Sequence, residues 1–500
     1  MTTTACEVDV LIVGAGISGI GLAAHMERAR LGRSYMLLER RANLGGTWDL
    51  FRYPGIRSDS DMHTLSYEFE PWTGKETLAA ATRIQDYLAG VVTKYGIDRH
   101  IRYGQKVLSA DFDSARACWK VTVEDDAGWH EITANWLYLA AGYYDYDKPY
   151  DPPFEGEAEF PGPLIHAQLW PEDLDYAGKR VAVIGSGATA ITVVPNMAEL
   201  AAKVTMVQRT PTYIRSIPGH DRIGRFLRRI MPVKTAFRLT RWLHIVGADK
   251  MYRTAREKPD EVRANLDQQT RELLGEHYRP EDFTPPYAPW DQRMCFIPDA
   301  DLFEGIKSGK VDIVTGHIER FSKDGIVMTD GRTVEADIII KATGLQLLMG
   351  GGITLSVDDK RVEPGERFYY KNCMISGVPN LAHPVPYTNT GSTLRYDLVS
   401  DYVCRVLKHM AKTDTTIATP TIPEGTTLEP HDSFAVEAGY VKRAVNALPM
   451  STLDDPWRLN HDYLHDRKYM RAAPIDDGLL VFARPGDNTR APEERLEAAE

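Results

Sequence analysis

Long apolar runs are missing from this sequence: no stretch approaches the ~20 consecutive apolar residues that a membrane-spanning helix requires. Cysteine is scarce. The five present (Cys6, Cys118, Cys295, Cys373 and Cys404) are odd in number and scattered, and no two form CxxC. That excludes a zinc ribbon and a redox-active dithiol, and it fits a reducing cytoplasm. A basic excess is also absent. Lys and Arg total 59 against 70 Asp and Glu, and the formal charge of −11 argues against a nucleic-acid binder. The opening MTTTACEV has no basic n-region of a secretory signal. No short-period repeat or low-complexity tract interrupts the chain, and only the final APEERLEAAE reads as a frayed, charged tail. What remains is a 500-residue chain of ordinary globular composition, long enough for two to four domains.

Two glycine loops organise it. VDVLIV, a buried parallel strand by its continuous apolar run, leads into Gly14, Gly16 and Gly19 in a GxGxxG pattern, and helical spacing follows. Such glycines allow a tight turn, the approach of backbone N–H groups to a pyrophosphate, and close helix–strand packing. The next strand, SYMLLER, ends in Glu39, where a carboxylate can bind the two hydroxyls of an unphosphorylated ribose, as in FAD or NAD. The second loop, VIGSGATA, carries Gly185, Gly187 and Ala190 in a GxGxxA variant, 171 residues after the first (185 minus 14). Its following strand, KVTMVQRT, ends in Gln208, Arg209 and Thr210 rather than an acid, which suits the 2′-phosphate of NADP. Two such units in one chain are the layout of a flavoprotein reduced by a nicotinamide cofactor. WLYLAAG, ending at Gly142, and ADIIIKATG, ending at Gly344, look like the strands that close each unit.

Two further segments sharpen the reading. GGTWDLFRYPGIRSD, residues 45–59, is a Gly-rich loop at the ligand-binding edge of the first unit, with Trp48 placed to lie over a ring system. FPGPLIHAQLWP, residues 160–171, is a proline-punctuated aromatic stretch just before the second glycine loop. Position by position it matches F-x-G-x-x-x-H-x-x-x-W-P through Phe160, Gly162, His166, Trp170 and Pro171. Residues 45–59 match G-G-x-W-x-x-x-x-Y-P-G-x-x-x-D. With these two patterns the chain resembles the type I Baeyer–Villiger flavin monooxygenases. QRTPTY, PWDQR and ATG bring it near the branch containing the ethionamide-activating monooxygenase of mycobacteria.

The resemblance implies FAD and NADPH as cofactors and a lipophilic ketone or thioether plus O₂ as substrates. Beside the glycines and Glu39, it marks Ser18, Gly46, Thr47, Trp48, Asp49, Arg57, Ser58, Asp59 and Val107 as cofactor-binding on the flavin side. Around the second loop it marks Ser186, Ala188, Thr189, Arg209 and Thr210. The family's catalytic cation maps onto Arg293 in PWDQR, oriented by Asp59. An activated-oxygen species that must be anionic and kept from water needs such a fixed charge. Gln292 stands where many members have a Lys that holds the phosphate, which places more of that recognition on Arg209 and Thr210. His166 is expected to orient neighbours by hydrogen bonding. No metal is expected, since no second His lies at ligand spacing from it.

The expected architecture is an α/β fold with two Rossmann-like dinucleotide-binding domains. Residues 1–148 and 346–500 would bind FAD, residues 149–213 and 290–345 would bind NADP, and residues 214–289 would form a helical insertion. From Arg222 to Lys258 that insertion has eleven Lys or Arg and two Asp or Glu. It is either a solvated cover over the substrate route or a basic amphipathic surface for weak contact with anionic membranes. Two other functions compete: a flavin monooxygenase working mainly on nitrogen or sulfur, and a non-catalytic NADPH-sensing flavoprotein. Oligomeric state is not readable from the residues.

Overall fold

The computed structural model of the protein describes residues 6–431, 443 and 447–487; the expected C-terminal tail lies outside them. Strand β1 (Val8–Val13) sits in the middle of a nine-stranded sheet. It pairs in parallel with β2 (Tyr35–Glu39) on one side and β6 (Gly128–Leu139) on the other. Strand β3 (Ile101–Tyr103) extends the sheet beyond β2, and β4 (Lys106–Asp113) and β5 (Cys118–Asp125) form an antiparallel meander with β6. The pleat sorts the apolar run of β1. Val10 and Ile12 face a core shared with helix α1 (Ile17–Ala29). Leu11 and Val13 face a second core built with Phe112 and Trp119. A run apolar at every position is what a strand covered on both faces requires.

The second sheet has five strands, all parallel: β7 (Leu164–His166), β8 (Arg180–Ile184), β9 (Lys203–Gln208), β12 (Val311–Thr315) and β16 (Ile338–Lys341). Between them, β10 (Ile214–Ile217) and β11 (Cys295–Pro298) pair separately, and β13–β15 (Ile318–Ser322, Gly325–Met328 and Thr333–Glu335) form a small antiparallel sheet. The proline-punctuated stretch 160–171 is partly built into the second sheet. Its residues Leu164–His166 are the edge strand against Ile339–Lys341. Gly162 is required there because a Cβ would sit 2.2 Å from the Asp337 carbonyl oxygen.

The stretch expected to be a helical insertion opens on β10 and becomes helical at Arg222. Short helices α2 (Thr47–Leu50) and α3 (Met62–Leu65), then α4 (Ala81–Tyr95) and α5 (Ala188–Met197), precede it. Its own helices are α6 (Arg222–Ile230), α7 (Val233–Glu257) and α8 (Pro259–Leu274). No helix among the described residues is long and apolar enough to cross a membrane. Cys6, just ahead of β1, and Cys118, at the start of β5, are joined by a disulfide. Cys295, Cys373 and Cys404 are free and buried, and burial pushes each thiol up to about 12, so none is a thiolate at neutral pH.

Candidate active site

Both glycine loops are made the same way. The Gly14 N–H donates to Leu38 O and the Ala140 N–H to Val13 O. In the second sheet, Gly185 N–H donates to Val207 O and Ala342 N–H to Ile184 O. A Cβ on Gly14 would lie 2.6 Å from Ala140 O, and one on Gly185 would lie 2.4 Å from Ala342 O; their φ values are +107° and +136°. The small residues of LAAG and KATG are therefore the walls against which the two glycines turn. Helices α1 and α5 begin immediately after, each with a glycine N-cap, no capping side chain and no acid in the first turn. Their first amides and positive dipole ends face outward, a setting that suits a pyrophosphate.

The cleft at the first loop is lined by Gly14, Gly16, Ser18, Glu39, Gly46, Thr47, Trp48 and Val107, all expected there. Gly19 is buried beneath it, with no room for a Cβ against Gly14 O. Glu39 is 5 % exposed. Its carboxylate accepts the amides of Ala15 and Arg41 at 2.9 Å each. Burial raises its pKa, partly offset by those two bonds. Sequence reasoning missed Tyr143, Tyr146 and Tyr396, which also line the cleft, as do Gln105 and Lys106. The first two stand in YYDY directly after LAAG, so the signal was there.

Three expected cofactor residues are engaged elsewhere. Asp49 is buried and does not line the cleft, and its oxygens accept from Arg41 and Arg52, both at 2.9 Å, and from Asn43 and Gln85. Arg57 pairs with Asp301, 2.5 Å away, in the helix Asp301–Lys307 beside the second sheet. Ser58 exchanges hydrogen bonds with Ala79. The rest of the 45–59 loop explains why: Phe51 and Tyr53 belong to the core of the second sheet, packed with Val183, Ala190 and Val194. The loop is thus a joint between the two units as well as a flavin-side wall.

At the second loop, Ser186 Oγ donates to Thr210 O at 3.1 Å, bringing the turn against the end of β9. Gly187 and Ala188 are exposed, Thr189 is half-buried beside Tyr53, and Ala190 is buried against the sheet. Gln208 turns inward, its amide donating to Asp282 O and Thr315 Oγ1. Arg209 is exposed and makes no ion pair among the described residues. Gln292 is also exposed.

His166 is buried where the two units meet. Its Nδ1 accepts the Gln168 amide, its Nε2 lies 3.4 Å from Thr343 Oγ1, and the Gln168 side chain donates to the carbonyls of Asp145 and Tyr146. Burial holds its pKa below the usual imidazole value. Phe160 packs in the core with Phe321, and Trp170 packs partly buried against Val183's core.

Arg293 Nη2 lies 3.0 Å from Asp59 Oδ2, each about one-third exposed. Arg293 reaches its place because β11 starts two residues later and pairs with β10, while Asp59 is the far end of the 45–59 loop. Both line a cavity of about 610 Å³, walled by Leu78, Ile217 and Phe296 together with Ile223, Leu243 and Met251 of the insertion. A paired cation at the wall of a mostly apolar cavity can stabilise negative charge developing on an apolar substrate.

Comparison with known proteins identifies relatives of the whole chain. Residues 11–217 match the family model described as pyridine nucleotide-disulphide oxidoreductase. The FAD-containing monooxygenase EthA of Mycobacterium tuberculosis is 45% identical over 480 residues, covering 96% of this chain and 98% of that protein. The probable FAD-binding monooxygenase AlmA of Acinetobacter baylyi is 42% identical over 486 residues, covering 96% and 97%. Among solved structures, an oxidised steroid monooxygenase bound to NADP superposes with a TM-score of 0.74 at 23% identity, covering 95% of this chain and 99% of that one. An ε-caprolactone-bound cyclohexanone monooxygenase superposes with a TM-score of 0.71 at 21% identity, covering 93% and 97%. Two glycine-turned cradles, an acid at the first and a cation at the second, thus sit in a chain matched end to end by flavin enzymes: it belongs to the family of FAD-containing monooxygenases.

Proposed function

We propose that the enzyme is an NADPH-dependent Baeyer–Villiger monooxygenase that converts lipophilic ketones to esters or lactones and thioethers to sulfoxides. The observation that carries this reading is the Arg293–Asp59 pair on the wall of an apolar cavity. FAD, when bound, supplies the redox chemistry: with two electrons from NADPH it activates O₂, one oxygen atom entering the substrate and the other leaving as water. The cradle at Gly14 and Glu39 fits that group, since the α1 amides lack side-chain caps and Glu39 has lone pairs left for ribose hydroxyls. Arg209 and Thr210 bind the 2′-phosphate of NADPH. Arg293 holds developing negative charge at the substrate carbonyl, and Asp59 keeps the guanidinium aimed. The apolar walls exclude water, which would divert the oxidant to H₂O₂. His166 transmits position between the units as a neutral hydrogen-bonding group.

In this reading residues 1–148 and 346–500 form the FAD domain, and residues 149–213 and 290–345 the NADP domain. The division is supported by the first sheet taking strands only from either side of the second. A cytoplasmic location, where an NADPH pool is maintained, is part of this reading. We also propose that α6 and α7 rest weakly on anionic membranes. Eight of the thirteen large exposed apolar side chains among the described residues, from Ile223 to Val246, lie on these two helices, interleaved with Arg222, Arg225, Arg229, Lys234 and Arg238. The test of the main reading is a paired panel of ketones and thioethers with H₂O₂ monitored. Esters from ketones support it, and sulfoxides with no ester would replace it with a sulfur-directed monooxygenase.

A further inference from the structure

A cluster in the wall of the same cavity is not used by the reaction above. His63 on α3, Asp221 at the N-cap of α6 and His244 on α7 bring one ligand atom each to within 4.8 Å of one another. His63 is 1% exposed, and neither of its ring nitrogens has a hydrogen-bond partner. Its Nε2 is 2.6 Å from Asp221 Oδ2, a close nitrogen–carboxylate contact without the direction of a well-formed hydrogen bond. Asp221 spends its other oxygen capping α6 through the Gly224 amide. His244 Nε2 lies 3.8 Å from Asp221 Oδ2, while its Nδ1 faces Asp61 Oδ1 at 3.2 Å.

We propose that His63, Asp221 and His244 bind a zinc-class divalent cation. Ligands at zinc distances of about 2.0–2.2 Å in tetrahedral array stand about 3.3 Å apart, within the spread found here. Two imidazoles and one carboxylate favour Zn²⁺ over Mg²⁺ or Ca²⁺, which prefer all-oxygen shells. Asp61 has the place of the carboxylate that fixes the tautomer of a ligating histidine from behind. With two neutral imidazoles, Asp221 and Asp61 balance the charge of a dication. Asp221 and His244 line the cavity that holds Arg293, so the fourth position opens toward substrate. The cation would clamp α3, on the flavin side, to α6 and α7 of the insertion, bracing the cavity wall.

The experiment uses the FAD-loaded enzyme, stripped with a chelator and dialysed against micromolar ZnCl₂ at pH 8, with bound metal measured by atomic emission. One zinc per chain is expected, together with a higher unfolding temperature. His244→Gln and Asp221→Asn should each lose it by at least 100-fold; Asn still caps a helix, so Asp221→Asn separates ligation from folding. Asp61→Asn should weaken binding 10–100-fold. A wild type without zinc, or variants that retain it, would overturn the proposal, leaving an ion-paired histidine cluster or adventitious surface binding. Because the readout is metal content, the outcome is independent of which substrates are oxygenated.

Discussion

At the scale of the residue, the proposed reaction assigns its two halves to Arg293 and Arg209. If Arg293 stabilises charge on the reacting centre, Arg293→Ala should retain FAD and oxidise NADPH in air. Ester should fall by ~10²–10³ with H₂O₂ in its place. Asp59→Ala should show a milder form, because the guanidinium remains but loses its 3.0 Å partner. Ester formation by Arg293→Ala at near the parent rate would remove Arg293 from catalysis. Arg209→Ala should raise KM for NADPH by roughly 10–100-fold, the worth of a charged hydrogen bond, and leave NADH nearly unchanged; equal losses with both cofactors would show that it does not read the phosphate. The positions of Glu39 at the first cleft and of Arg293 beside Asp59 were legible from charge and motif, and Val107 from the resemblance alone. The protein contacts of Asp49, Arg57 and Ser58 were not, because a motif shows which positions matter but not whether a side chain faces a ligand or a neighbouring helix. The His63–Asp221–His244 cluster was invisible for a related reason: its members come from three helices, so no spacing links them.

At the scale of the element, the two strand–turn–helix units were read correctly from periodicity and glycine spacing, since the local constraint and the local pattern coincide. The edge strand Leu164–His166 was not: three residues flanked by prolines carry no periodicity, and only pairing with β16 makes them a strand. Gly14→Ala should abolish flavin binding, because both the positive φ and the 2.6 Å approach to Ala140 O exclude a side chain. The check is the yellow colour of the purified protein; a fully flavinylated variant would contradict the turn described here. His166 makes the joint acid-sensitive. Burial depresses its folded pKa, so the unfolded chain takes up a proton near the ordinary value of about 6.5 while the folded one does not. The contribution of His166 is therefore fully present above that pH and is lost as pH falls from there through the lower folded value. Unfolding temperature should drop from pH 7.5 to 5.5, and His166→Gln should flatten that slope; an unchanged slope would place the acid sensitivity elsewhere.

At the scale of the whole molecule, charge is distributed unevenly: a chain of net −11 carries a +9 excess between Arg222 and Lys258 (eleven basic residues less two acidic). Binding through α6 and α7 should bring the enzyme down with anionic vesicles at low ionic strength. It should release the enzyme as salt shortens the Debye length from ~30 Å at 0.01 M to ~10 Å at 0.1 M. Equal pelleting with neutral vesicles, or none at low salt, would retire the membrane contact and leave these helices as a cover.

The 45–59 loop has an evolutionary consequence. Its Gly46–Trp48 end lines the cleft at the first glycine loop, its Phe51–Tyr53 middle is packed into the second sheet's core, and its Asp59 end stands in the cavity beside Arg293. A mutation selected there for a new substrate is read at once by cofactor affinity and by docking of the two units. Adaptation to new substrates is therefore channelled away from this loop toward the opposite wall of the cavity, where Ile223, Leu243 and Met251 can vary without touching either nucleotide cradle.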